Sequence, residues 1–345
     1  MLLNQSFIKL SLLLQRKSDS IMNNVVLYIV TVLIWGSTWI AINYQLGDVS
    51  PAVSLSYRFS LAAVILFAFC KQQRIQLNFP VKLHIQFLAF GLTLFGCNYY
   101  FLYSAQQHIN SALVCIGFSM IMIFNILNAR IWYKTKITKE FYIGGLLGIM
   151  GIVTLFWPQI NNVSLGEQTL IGLGFCLGGT ILASFGNMIS IRNQKKQAPL
   201  HAANAWGMAY GALSIGLWAF FKGEAFILPR NAAYISSLLY LSVFGSVIAF
   251  GCYLTLLNRI GAQKTSYANI MFPAIAVLIS SFVEDFQWSI FTAVGLSCIF
   301  IGNIIVLSKK KVKSQNEMVE PQVSNSSLVV NKAVETVESQ TLKTT

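Results

Sequence analysis

The sequence predicts an all-α integral membrane protein of ten transmembrane helices, arranged as two inverted five-helix repeats. Three observations predict it. The 345 residues are 55% hydrophobic and 10% charged, with mean hydropathy +0.64, whereas a soluble chain carries about 25% charged residues. Ten apolar segments follow one another, most near the roughly 20 residues that cross about 30 Å of hydrocarbon. The second five echo the first. Gly144 and Gly151 recur 151 positions later as Gly295 and Gly302, and Pro51 recurs 148 positions later as Pro199. Five is odd, so the second set enters the membrane from the opposite side, as in many secondary transporters.

Backbone groups in lipid must bond within their own segment, so the segments read as helices. The predicted spans are 25–43, 51–70, 85–105, 111–131, 141–157, 170–191, 203–221, 234–256, 265–283 and 289–308. The first carries Trp35-Gly36-Ser37-Thr38-Trp39 at its middle. Pro51 opens the second. The third holds Asn98-Tyr99-Tyr100 and Tyr103, and the fourth Asn125 and Asn128. The fifth is short and carries Gly144/Gly148. The sixth carries Gly174/Gly178 and Asn187, the seventh Gly207/Gly211 with Trp206 and Tyr210. Tyr253 lies in the eighth, Tyr267, Asn269 and Pro273 in the ninth, and Gly295 and Gly302 in the tenth. Small residues four apart let helix backbones approach closely.

Four regions follow: an N-terminal extension (1–22), a first repeat (23–158), a second repeat (168–308) and a disordered tail (309–345). The extension's apolar run is broken by Lys9 and reads as a poor signal peptide. The tail is rich in Ser, Val, Gln, Glu and Thr and lacks aromatics, a composition that does not build a core.

The formal charge of +13 encodes orientation. Nineteen of the 24 Lys and Arg fall in segments on one side of the predicted spans, and the loops opposite carry only Lys222 and Arg230. The positive-inside rule then places both termini in the cytoplasm. No basic helix stands apart from the membrane flanks, so a nucleic-acid partner is not expected. The six cysteines form no CxxC or CxxH pair. They read as packing residues, with no metal or disulfide framework.

None of the eleven acids lies mid-span, and only Glu284, at the outer end of the ninth helix, is near the bundle interior. An enzyme needs acid, base or metal groups converging on the reacting atoms. The sequence supplies no such cluster, so neither catalysis nor a cofactor is expected. The lack of a mid-membrane acid also favours facilitated exchange or uniport over proton coupling.

Arg58 is the one base deep within a span; Arg130 stands at the very end of the fourth. It sits seven residues after Pro51, roughly 10 Å into the second helix. Its guanidinium stays charged and matches a carboxylate or phosphate. It reads as an anchor for an anionic substrate group, or as a gating partner of Glu284. The structural alternative is an arginine that snorkels or bonds to helix carbonyls. Trp35, Ser37, Thr38, Asn98, Tyr99, Tyr100, Asn125, Asn187, Trp206 and Asn269 complete the candidate substrate-binding set, since buried amides and hydroxyls need partners. Each read singly is an ordinary interhelical hydrogen bond. Pro273 is the candidate hinge, because proline removes a backbone bond and permits a kink.

These residues resemble the EamA family of the drug/metabolite transporter superfamily. The resemblance rests on Trp35-Gly36-Ser37-Thr38-Trp39, on Pro51 with Tyr57-Arg58-Phe59, and on Gly261-Ala262, Pro273 and Glu284. It covers about residues 25–308. It implies an inner-membrane carrier of small metabolites, often an exporter of amino acids or related compounds. The first half departs from the pattern, with Met122 and Tyr133 where proline and glutamate stand in the second. The expected function is alternating-access transport of a small amphipathic metabolite, in the efflux direction. An amphiphilic drug is the alternative substrate, and a non-transporting scaffold or sensor the alternative class. The expected partners are the substrate, the lipid bilayer and a second copy in a homodimer.

Overall fold

The computed structural model describes residues 23–308, apart from 39, 43, 46, 48, 110–113, 115–116, 159–165, 230 and 284–288. The N-terminal extension, the tail, Trp39 and Glu284 lie outside the described residues. In chain order the helices are α1 (Asn23–Ile42), α2 (Pro51–Gln72), α3 (Val81–His108), α4 (Ile121–Tyr133), α5 (Lys139–Leu155), α6 (Glu167–Lys195), α7 (Leu200–Phe221), α8 (Ala232–Thr265), α9 (Tyr267–Val283) and α10 (Ile290–Ser308). No strand occurs among the described residues. Six of these helices, α1, α2, α3, α6, α8 and α10, are long and apolar enough to cross a membrane. α7 matches α2 in length but is diluted by glycines, His201 and Asn204.

α2 shows why these segments fold as they do. Ser50 caps it, its side chain accepting from Val53 N, and Pro51 occupies the first turn, where a missing N–H costs nothing. Its buried residues recur at helical spacing: Val53, Phe59, Ala62, Leu66 and Cys70. α2 runs antiparallel to α7 and meets it through the neighbouring stripe of Ser56 and Phe67. Ser56 Oγ donates to Ala212 O at 3.2 Å, and Phe67 meets Trp206 edge-on at 4.9 Å.

Two helices are interrupted by π-helical turns, Gly91–Gly96 within α3 and Leu241–Ile248 within α8. Such turns are rare and frequent at functional sites. The first packs on Gly207 and Gly211 of α7, whose backbone leaves no room for a Cβ on Gly91. α8 also breaks at Gly261, held at φ 85° and ψ 163°, a backbone that only glycine adopts readily.

α5 and α10 meet along a glycine seam. A Cβ on Gly151 would lie 2.8 Å from Gly295 O, and one on Gly302 would lie 2.8 Å from Gly144 O. The exterior is apolar: Ile29, Leu33, Val64, Leu146, Met150, Leu213, Ile301 and Ile304 are exposed. The interior holds Arg58, Asn98, Asn125, Asn187, Asn193, Asn204 and Asn269, all buried. Polar residues inside and aliphatic ones outside suit a bundle whose solvent is lipid.

Candidate substrate cavity

The buried polar residues surround a cavity between the helices. α1 contributes Trp35, Thr38 and Ile42, and α2 contributes Arg58. α3 contributes Leu94, Asn98, Tyr99, Leu102, Tyr103 and Gln106. Phe118 and α4's Ile121 line it too, with Ala183 and Asn187 of α6. Phe250 and Tyr253 of α8 and Asn269 and Phe272 of α9 complete the wall. The cavity's volume is about 60 Å³. That is room for a few waters, since one needs roughly 10–15 Å³ by this measure.

Arg58 is 1% exposed. Its Nε donates to Ser246 Oγ at 3.0 Å, and Ser246 Oγ donates to Leu241 O at 2.9 Å. The guanidinium carbon lies 4.9 Å from the centre of the Tyr99 ring and 5.2 Å from that of Phe59. Nη1 has no hydrogen-bond partner among the described residues, and none of their acids lines the cavity. The π-helical turn of α8 also receives Trp35, whose Nε1 donates to Gly245 O at 3.0 Å. Trp35 in turn lies 4.9 Å from Phe250, 4.9 Å from Tyr253 and 5.2 Å from Phe272 between ring centres. Thr38 Oγ1 is turned back onto Trp35 O at 2.7 Å.

A chain of hydrogen bonds joins the asparagines. Ser266 Oγ donates to Ala262 O at 2.6 Å, and Asn125 Nδ2 donates to Ser266 Oγ at 2.9 Å. Asn187 Nδ2 donates to Asn125 Oδ1 and to Tyr253 Oη, both at 3.2 Å. Asn269 Nδ2 donates to Tyr253 Oη at 3.4 Å and to Ser266 O at 3.2 Å. Pro273, buried in α9, lacks the N–H that would bond the carbonyl of Asn269.

Of the sequence-predicted set, Trp35, Thr38, Arg58, Asn98, Tyr99, Asn187 and Asn269 line the cavity, and Asn125 stands behind Asn187. Three residues lie elsewhere. Ser37 bonds Tyr240 Oη at 2.6 Å, and Tyr100 packs near Phe101 and Trp218. Each sits one residue from a lining neighbour, about 100° away round its helix. Trp206 belongs to a separate cluster with Phe67, His84 and Tyr210, and its Nε1 donates to Leu77 O at 3.1 Å. Gln106 and Ser266 were not singled out from the sequence. Both sit near span ends, where polar residues are ordinary. Their signal was helical spacing: Gln106 falls three and four residues after Tyr103 and Leu102.

The model of the EamA-like transporter family matches residues 22–157 and again residues 170–308. The chain belongs to that family. Among relatives of this EamA-like transporter, an "uncharacterized transporter" of Archaeoglobus fulgidus is 24% identical over 283 residues, covering 81% of this chain and 97% of the relative. YoaV of Bacillus subtilis, an "uncharacterized transporter", is 25% identical, covering 84% and 100%. The "uncharacterized inner membrane transporter YedA" of Escherichia coli K12 is 24% identical, covering 86% and 94%. A solved crystal structure superposes with TM-score 0.71 at 16% identity, covering 84% of this chain and 99% of the other, which shows a shared fold. The protein is thus a membrane transporter of the EamA family.

Proposed function

We propose that this EamA-like protein is an inner-membrane secondary carrier that moves a small amphipathic metabolite with an anionic group, such as an amino acid, outward by alternating access. The observation that carries the reading is Arg58: a buried guanidinium that lines the cavity beside Tyr99 and Tyr103, its Nε bonded to Ser246 and its Nη1 without a hydrogen-bond partner among the described residues. An uncompensated buried charge is costly, and an anionic ligand would compensate it. Trp35, Tyr99, Phe250 and Phe272 would hold the apolar part. Those aromatic walls also favour the second reading, an exporter of apolar amphiphiles.

Ten crossings in two inverted repeats, with both termini cytoplasmic and lipid around the bundle, form the proposed scaffold. Four observations support it. The family model matches each half separately. The π-helical turn recurs in the third helix of each half, ten residues after the start of α3 and nine after that of α8. The seam pairs Gly144 with Gly302 and Gly151 with Gly295, and a two-fold exchange of repeats converts one pair into the other. Finally, Tyr99/Phe250, Leu102/Tyr253, Phe118/Asn269 and Ile121/Phe272 all line the cavity, and each second member lies 151 positions after the first. The narrow free space in this conformation fits a carrier whose helices must part to admit substrate.

The test is counterflow of labelled amino acids into proteoliposomes, read for the wild type and for Arg58→Met, which keeps volume without charge. The expected result is wild-type counterflow that falls at least about tenfold in the variant, on the order of 1.4 kcal/mol. Wild-type counterflow unchanged by the substitution would remove Arg58 from the mechanism. Absence of counterflow across amino acids and other metabolite anions would favour the scaffold class.

A further inference from the structure

The chain of hydrogen bonds behind Asn187 runs in one direction, and that direction decides what Asn187 can recognise. A backbone carbonyl only accepts, so Ser266 must give its hydroxyl proton to Ala262 O. Ser266 Oγ is then free only to accept, and what it accepts comes from the Asn125 amide nitrogen. This turns Asn125 Oδ1 towards Asn187, where it in turn requires Nδ2. The same nitrogen bonds Tyr253 Oη, a contact shared with Asn269. Both N–H donors of Asn187 are consumed on the protein side. Its Oδ1 is left buried, unpartnered among the described residues, on a side chain that lines the cavity. Amide orientation follows from its network, and this network begins at an atom that cannot reverse its role.

We infer that Asn187 is a specificity-determining residue that requires a hydrogen-bond donor on the ligand, with Asn125 and Ser266 as positioning residues that hold its amide in that sense. The inference rests on the proposed function, which supplies the anionic end at Arg58. The ligand class is therefore an organic anion carrying an N–H or O–H donor, with an apolar portion for the Trp35 walls. Asn98 Oδ1, also buried and unpartnered among the described residues, presents a second acceptor to the same space. A buried acceptor facing a ligand that lacks the donor loses its hydration with no replacement. Sites of that kind reject the analogue strongly, by up to roughly 10⁴-fold.

The experiment compares three probes by isothermal titration calorimetry on the full-length protein in detergent: leucine, 2-hydroxy-4-methylpentanoate and 4-methylpentanoate. They share carboxylate and side chain and differ in the donor. The wild type should bind the amino and hydroxy acids at least tenfold more tightly than 4-methylpentanoate. Asn187→Leu should bring the three affinities together by weakening the first two, leaving 4-methylpentanoate unchanged or improved. Ser266→Ala should reduce the ratio several-fold, and Ser266→Thr, which restores the hydroxyl, should recover it. A purely structural role would shift all three probes together. Equal wild-type affinities that still depend on Arg58 would overturn this inference and leave the proposed function standing. Equal weakening of all three probes by Asn187→Leu would also overturn it. Failure of the wild type to bind any probe would overturn this inference together with the reading it rests on.

Discussion

The two halves of the molecule line the cavity from matching positions with different chemistry. Where α3 presents Leu102, α8 presents Tyr253. Where the segment just before α4 presents Phe118, α9 presents Asn269. Among the described lining residues the first half alone supplies a charge, Arg58, and it adds the groups of Asn98, Tyr103 and Gln106 that lack a hydrogen-bond partner there, as Asn187 Oδ1 does in the second half. The second half supplies most of the amide network, through Asn187, Tyr253, Ser266 and Asn269. The difference teaches a division of labour. In the proposed carrier, related backbones would give two related conformations access to opposite faces, whereas unrelated side chains would give the cavity a polar direction. A ligand held by such a wall would keep one orientation while access changed around it.

Substitutions can break that comparison. The largest effect should come from Arg58→Met. Besides losing counterflow, it should leave the melting temperature unchanged or raised, because a buried charge lacking compensation stabilises little. A fall of many degrees would mean that Arg58 serves the fold and would erase the contrast. Next comes the candidate hinge, Pro273, whose counterpart 151 positions earlier is Met122. Pro273→Ala restores a backbone donor within α9 and should slow counterflow several-fold, while Met122→Ala at the matching position should slow it less. Equal rates in the two variants would mean that the halves deform alike.

The seam is shared by both halves, so its variants should behave alike. Gly151→Val and Gly295→Val each force a side chain against the facing backbone, and each should destabilise the protein by about 1–3 kcal/mol in denaturant or thermal melts. One tolerated and one damaging substitution would argue against a symmetric contact. The smallest effect belongs to Trp206→Phe. It gives up the bond to Leu77 O, about 1 kcal/mol of stability, and should leave ligand affinity unaltered, since Trp206 stands outside the cavity.

The helical segments were legible because hydropathy and the absence of charge are one-dimensional signals. The predicted 51–70, 170–191 and 203–221 fall within α2, α6 and α7. Arg58 was legible for the same reason, as the one base deep inside a span. What the sequence did not disclose was rotation about the helix axes. Ser37 and Thr38 are neighbours in the chain, yet only Thr38 lines the cavity. Tyr99 and Tyr100 divide in the same way. That choice is made by packing, at contacts such as Gly245 beside Thr38 and Arg58. The π-helical turns were hidden too, because they arise from how α3 and α8 seat on α7 and α2 and carry no local composition of their own. Ser266 looked like an ordinary polar residue at a span end, and only the bonds to Asn125 and Ala262 give it a role.

The buried guanidinium also has an electrical consequence. In an alternating carrier, Arg58 faces the water of one compartment and then that of the other, so the membrane voltage falls first on one side of its charge and then on the other. A full elementary charge exchanged in this way is worth about 2.3 kcal/mol per 100 mV. An empty carrier would bear that charge uncancelled, whereas a bound carboxylate would neutralise it locally. The resting potential would then bias which face an unoccupied protein opens to, and the ligand's own charge would set how strongly voltage acts on the loaded step.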